Sequence, residues 1–240
     1  MRKQVYILAG LALLITFAVF VSAKMTPSSP DGYNHNIEVY VNEGWNLILA
    51  TPIVGIYKGD DYADDAISSD SEIKRDNIKA VYYYISGQNK YVPMYPNAQD
   101  YRDYVASLTS ADEKTYIMFS SVWVYSDKSG VLKYRRVDVP KYHQVSLKNG
   151  WNFLTITSEM KGKSINQLRG DCNFEKIYWW NGESDETIQG TNWKEFSLDF
   201  RFSDKGEGSV LYGTGMVVKV SNNCKLGASE GNVPSVPNLP

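Results

Sequence analysis

The sequence predicts a mainly β protein: two tandem, diverged β-sandwich or β-barrel modules behind an N-terminal hydrophobic signal or anchor helix. Three observations carry this expectation. Short runs alternate apolar and polar residues between Gly, Asn and Asp clusters, the pattern of half-buried strands bounded by turns. The 240 residues include 18 Tyr, 8 Phe and 6 Trp, side chains that favour strands. A block centred on Gly-Trp-Asn also occurs twice, at Gly44 and at Gly150.

The N-terminus comes first. Arg2 and Lys3 precede an uncharged, strongly apolar run, residues 5–23, which ends Val21-Ser22-Ala23. Small residues at the −1 and −3 positions of a cut after Ala23 give the shape of a secretory signal. The same run is also about long enough to span a bilayer as an uncut anchor, so both readings stand. On either one the two basic residues stay cytoplasmic and residues 24–240 face outside. The expected division is 1–23 signal or anchor, 24–36 linker, 37–139 first module with insertions, 140–226 second module and 227–240 a Pro-rich tail.

The repeat rests on three blocks in the same order. Residues 37–48 match 144–154 around Gly44-Trp45-Asn46 and Gly150-Trp151-Asn152. Ile78-Lys-Ala-Val-Tyr-Tyr-Tyr84 matches Phe174-Glu-Lys-Ile-Tyr-Trp-Trp180, and Ser121-Val-Trp-Val-Tyr125 matches Gly215-Met-Val-Val-Lys219. In each copy the first block predicts a hairpin. Ile37, Val39 and Val41 alternate, a Gly turns the chain, and Trp45, Leu47 and Leu49 resume the alternation. Trp45 and Trp151 are then expected to anchor the two cores. The first copy is the longer, with an acidic insertion near Asp60 and a second one over residues 96–113. In the latter, Tyr101, Tyr104, Val105 and Leu108 share one helical face. Ser164 is placed to cap a short turn at residues 165–168. Residues 131–139 are expected to bridge the copies.

The pattern of an apolar strand, Gly-Trp-Asn, an aromatic strand and Gly-x-Gly before a last apolar strand resembles a module of exported archaeal and bacterial surface proteins. The resemblance covers about residues 37–220. It implies a β fold and a surface location, with no particular activity. The second copy keeps Gly213-Thr-Gly215, whereas the first has Ser120-Ser121 and is the more diverged.

Function classes narrow from composition. The chain has 25 basic against 27 acidic residues, and losing Arg2 and Lys3 makes it more acidic, which argues against a nucleic-acid partner. Neither of the two histidines, His35 and His143, belongs to a recognisable catalytic motif. The expectation is no enzyme and no cofactor. Asp60, Asp61, Asp64 and Asp65, followed by Asp70 and Glu72, are a weak calcium candidate, since hard oxygen ligands suit that ion. They lack the alternation of a calcium loop, and a solvated acidic loop is the simpler reading. Cys172 and Cys224 are the only cysteines. An oxidising compartment permits their bridge, worth up to roughly 4 kcal/mol through loop closure; two free buried thiols are the alternative.

The aromatic strand is the better site candidate. Val81, Tyr83 and Ile85 share one face; Ala80, Tyr82 and Tyr84 share the other. In the second copy Ile177 and Trp179 oppose Lys176, Tyr178 and Trp180. Lys176 calls for water, which marks its face as the open one. Tyr82, Tyr84, Tyr178 and Trp180, extended by Tyr91 and Trp193, are therefore the expected ligand-binding face, suited to sugar rings or a protein partner. The function expected is a non-enzymatic, exported cell-surface protein in adhesion, envelope structure or glycan contact. A carbohydrate-active protein, as binding module or hydrolase, and an extracellular filament subunit are the alternatives. A surface glycan or envelope protein is the expected partner, with membrane contact through residues 5–23 if the signal is uncut.

Overall fold

The structure, a computed structural model, describes residues 24–27, 35–50, 67–136, 141–180, 192–202 and 212–227. The hydrophobic run 1–23, the calcium candidates Asp60, Asp61, Asp64 and Asp65, and the tail from residue 228 onward lie outside them. Among the described residues no helix is long and apolar enough to cross a membrane.

The chain is mainly antiparallel β. In order the strands are β1 (Lys24–Pro27), β2 (His35–Val41), β3 (Gly44–Leu49), β4 (Ile78–Ile85) and β5 (Lys90–Tyr95). Helices α1 (Gln99–Ser107) and α2 (Ala111–Phe119) follow, then β6 (Ser121–Ser126) and β7 (Gly130–Arg136). Next come β8 (Ser146–Leu147), β9 (Gly150–Thr155), the one-turn α3 (Ile165–Leu168), β10 (Phe174–Trp180), β11 (Trp193–Glu195), β12 (Gly215–Val220) and β13 (Cys224–Lys225).

Two four-stranded sheets have the same plan: β3-β6-β4-β5 and β9-β12-β10-β11. Their registers agree residue by residue. Gly44 pairs with Ser126 as Gly150 pairs with Val220, and Tyr84 pairs with Tyr91 as Trp180 pairs with Trp193. Both central strands carry an irregularity at the same place, between Ile78 and Ala80 and between Phe174 and Lys176. Outside each sheet, β2 pairs with β7 as β8 pairs with β13. Equivalent positions in the two copies can therefore be read from the pairing alone.

Four expectations change. β2 and β3 are not a hairpin, for β2 pairs with β1 and β7 while β3 pairs with β6. Gly44 makes a corner at which the chain passes from one sheet to the next. Residues 130–136 are not a bridge between copies but β7, the strand that closes the first copy. Within the expected linker, residues 24–27 form β1 on the free edge of β2. The fourth concerns Trp45 and Trp151, which are not the core anchors. Trp45 is 40 % exposed and Trp151 is half-buried.

The buried member of the motif is the Asn. At the first corner Asn42 N–H donates to Asn46 Oδ1 at 2.9 Å, and Asn46 Nδ2 donates to the carbonyls of Asn42 (2.8 Å) and Gly44 (3.0 Å). Asn152 makes the same three bonds to Lys148 and Gly150 at 3.0, 2.8 and 3.0 Å. The Gly takes φ of +101° at Gly44 and +95° at Gly150, a conformation that other residues rarely adopt. Gly-Trp-Asn is thus a corner whose Asn satisfies the backbone while its Trp is turned outward.

A continuous core lies under both sheets. Ile48, Val81, Tyr83, Val122 and Val124 of the first copy join Leu154, Ile177 and Val218 of the second. Helix α1 forms where the apolar periodicity placed it, with Tyr101 and Tyr104 5.3 and 5.8 Å from the Tyr83 ring, but Val105 of the expected apolar face is exposed. Helix α2, not expected, clasps the second copy: Tyr116 bonds Phe153, Asp112 accepts from Ser146, and Glu113 pairs with Lys148. The Ser164 cap is present, with Gln167 completing a reciprocal capping box.

Candidate functional site: an aromatic junction between the two sheets

The side chains of β3, β4 and β6 that point away from the common core are Trp45, Leu47, Tyr82, Tyr84, Trp123 and Tyr125. The pairing register gives their counterparts as Trp151, Phe153, Tyr178, Trp180, Val217 and Lys219. These two faces partly cover each other. Leu47, Tyr84, Phe153 and Val217 are buried at the contact, with Trp123, Trp151, Tyr178, Trp180 and Trp193 packed around them.

All six expected aromatics lie on this junction, and the alternation along β4 and β10 holds: Val81, Tyr83, Ile85 and Ile177 are buried on the opposite face. They are not equally open. Tyr82 and Tyr91 are 36 % and 48 % exposed, Tyr178, Trp180 and Trp193 are half-buried, and Tyr84 is buried against Phe153 with ring centres 4.6 Å apart.

Two surfaces result. The first is a platform on the first copy, where Trp45 lies 6.0 Å from Tyr82 and 5.2 Å from Tyr125, all three exposed. The second is a cleft of about 440 Å³ lined by Tyr84, Asn89 and Tyr91 from the first copy and Trp151, Phe153, Tyr178, Trp193 and Val217 from the second. Tyr84 donates its hydroxyl to Asn89 Oδ1. Asn89 sits in the β4–β5 turn with φ +56°, a conformation that Asn tolerates better than most residues. Burial pushes the Tyr84 and Tyr91 phenols up, so both stay neutral hydrogen-bonding groups at ordinary pH. Among the described residues no charged side chain lines the cleft.

Trp45, Trp123, Tyr125, Trp151 and Asn89 were missed as site residues. Alternation along β6 puts Trp123 and Tyr125 on one face, and only the second sheet shows what that face meets. Trp45 and Trp151 were misassigned because an aromatic at the start of an alternating strand looks the same whether its face is the core or the junction.

A second cavity, also about 440 Å³, lies under α2 between Ser86, Tyr104, Glu113, Lys148 and Lys225. Several of its polar groups bond across the copies as described for α2. Asp70 and Glu72 are likewise held by structural contacts. Ser68 and Lys133 hold the Asp70 carboxyl down at about 2, and Glu72 Oε2 accepts from Val131 N–H at 2.8 Å. Among the described residues no group of three or more His, Cys, Asp or Glu side chains is placed to hold a metal ion. His35 opens β2, and His143 lies in a single helical turn with Nδ1 3.9 Å from Glu159.

Comparison of the chain with protein-family models, with curated proteins and with solved structures returns no match.

Proposed function

We propose that the chain is an exported, non-enzymatic cell-surface protein that works by contact, and that its contact is with carbohydrate. The observation that carries this reading is the aromatic junction. Exposed and half-exposed rings from both copies form a platform and an adjoining cleft whose polar groups are neutral phenol, indole and amide. Flat rings present an apolar face to the CH-rich face of a sugar, while neutral groups beside them can bond its hydroxyls. Two diverged β modules supply a rigid frame for such a surface. Export rests on the basic-apolar-small pattern of residues 2–23, and the resemblance to exported Gly-Trp-Asn modules agrees with it.

The hydrolase alternative needs paired carboxylates across a groove, and the described lining of the cleft contributes none. The test uses the full chain, recovered after export with its own N-terminal segment. It is incubated with insoluble envelope and plant polysaccharides, and both the sedimented protein and released reducing ends are measured. Sedimentation with at least one polymer, without release, is the expected outcome, weakened by Trp45→Ala and Tyr82→Ala. Release of sugar, or failure to sediment with any polymer, overturns the reading.

A further inference from the structure

The duplicated scaffold contains the cleft position twice, and the largest difference in side-chain size between the two positions falls at one pair of residues. By the strand register, the counterparts of Tyr84, Tyr91, Trp151, Phe153, Tyr178 and Trp193 are Trp180, Trp193, Trp45, Leu47, Tyr82 and Tyr91. The ring geometry repeats as well. Tyr84 lies 5.0 Å from Tyr91, and Trp180 lies 5.1 Å from Trp193. Trp151 lies 6.2 Å from Tyr178, and Trp45 lies 6.0 Å from Tyr82.

Besides Asn89 of the β4–β5 turn, the lining includes Val217, whose counterpart is Trp123. At the twin position the Trp123 indole is held edge-on by Trp180 at 4.9 Å, by Trp193 at 5.6 Å and by Trp45 at 6.3 Å. Trp180 Nε1 donates to the Trp45 carbonyl at 2.8 Å, drawing that side shut. The protein therefore places an aromatic ring of its own among the rings of the twin position. Where Val217 stands instead, that volume is the open cleft.

We propose that the cleft is a subsite for one short, uncharged saccharide, and that the Val217 and Trp123 pair limits the protein to a single such subsite. The inference rests on the carbohydrate reading above and deepens it. The walls suit a flat ring, as the twin position demonstrates with an indole. Among the described residues the lining is uncharged, which disfavours uronic, sulfated or phosphorylated sugars, whose charge would lose hydration without gaining a partner there. A volume of about 440 Å³ falls toward the lower end of the roughly 300–1,000 Å³ typical of small-molecule sites, so a short oligomer end fits and a branched one does not.

The test is calorimetric titration of the full chain, followed in parallel by tryptophan fluorescence. The probes are neutral glucose, mannose and N-acetylglucosamine oligomers, uronic-acid oligomers of matching length, and an anionic apolar naphthalene dye. Expected are one neutral oligomer bound per chain, with indole quenching, and binding by the uronic oligomers on the order of tenfold or more weaker. Tyr91→Ala and Val217→Trp should weaken neutral-sugar binding on the order of tenfold or more, while Trp123→Val should raise the stoichiometry toward two. Circular dichroism checks that each variant keeps its fold; if Val217→Trp does not, Tyr91→Ala carries the decision, because that residue is 48 % exposed.

Binding that ignores Tyr91→Ala and Val217→Trp but is lost in Trp45→Ala would overturn the subsite and leave the carbohydrate reading intact. Uronic oligomers binding as tightly as neutral ones, or dye bound in the cleft that no sugar displaces, would overturn the subsite's assignment. No neutral oligomer bound, with sedimentation on a polymer retained, again sinks the subsite alone; loss of both sinks the two together.

Discussion

Ser121 and Gly215 hold equivalent places in the two sheets and meet each other where the copies join. A Cβ built on Gly215 would lie 2.5 Å from Ser121 Oγ and 2.4 Å from Leu47 Cγ, far inside contact distance. Across the same junction Leu49 N–H donates to the Gly213 carbonyl, and the Thr155 hydroxyl donates to the Ser120 carbonyl, both at 3.0 Å. One of the two equivalent residues must lack a side chain for the other to carry one. Retention of Gly-x-Gly in the second copy and its replacement by Ser120-Ser121 in the first are two halves of one packing solution.

The first prediction follows from that contact. Gly215→Ala should destabilise by about 1–3 kcal/mol, the cost of overpacking a close backbone approach. Gly215→Ser should cost more, and adding Ser121→Gly should recover part of the loss. Chemical denaturation of the four proteins forms a double-mutant cycle. Strict additivity of the two changes would show that the residues do not share the space.

The corner motif gives the second prediction. Asn46 and Asn152 are buried and each satisfies three backbone groups, so Asn46→Ala or Asn152→Ala should cost about 2–3 kcal/mol. Trp45 is 40 % exposed, so Trp45→Ala should cost about 1 kcal/mol while weakening polymer binding. Melting curves rank the variants. A larger loss for Trp45→Ala than for Asn46→Ala would restore the tryptophan as core anchor.

Much of this was legible in the sequence, and the misses share a cause. The repeat, the position of α1, the Ser164 cap and the two faces of β4 are local patterns, set by side-chain period and capping chemistry. The Cys172–Cys224 bridge, with Cα atoms 5.2 Å apart, joins the two cysteines that the sequence offers as its only pair. The Gly44 corner was mistaken for a hairpin because a positive-φ Gly between two alternating runs serves either purpose; strand partners many residues away decide which. The cleft was not legible, because it needs the two sheets laid against each other. Val217 carries no signal until it is set beside Trp123.

Helix α2 supplies the third prediction. The buried Tyr116 hydroxyl accepts from Phe153 N–H at 2.9 Å, donates to the Phe153 carbonyl at 3.2 Å, and lies 2.6 Å from Ser86 Oγ. It thereby satisfies the free edge of β9. Tyr116→Phe leaves both backbone groups unpaired and should cost about 1–3 kcal/mol. Burial pushes this phenol well above its ordinary value of 10.0. A pKa raised by folding contributes stability that is present below the unfolded value and is lost as pH rises through the folded one. Stability of the wild type should therefore fall above pH 10, and Tyr116→Phe should flatten that fall. Denaturant midpoints between pH 8 and pH 12 check it; parallel curves for the two proteins would count against the clasp.

The fourth prediction compares how the two copies fasten the strand that closes them. In the second copy β13 has two residues and pairs with β8 alone, and Cys224 bonds it to Cys172. The register places Gly130 of β7 opposite Val41, where Cys224 stands opposite Leu147. At Gly130 the space beside the strand is taken by Glu72 and Ile73: an added Cβ would meet Glu72 Oε2 at 2.9 Å, and that carboxylate would have to shift. Glu72 bonds the next backbone N–H instead. A covalent bond and a carboxylate thus secure equivalent strands. Replacing both cysteines by Ser should cost about 2–4 kcal/mol, since the bridge restrains a long loop in the unfolded chain. Glu72→Ala should cost about 1 kcal/mol, because Glu72 is exposed and water can replace it at Val131. Hydrogen exchange separates the two effects by place: loss of the disulfide should speed exchange at Leu226, whose N–H bonds the Val145 carbonyl, and loss of Glu72 at Val131. Uniform acceleration across both copies in either variant would show that these are global supports and not local fasteners.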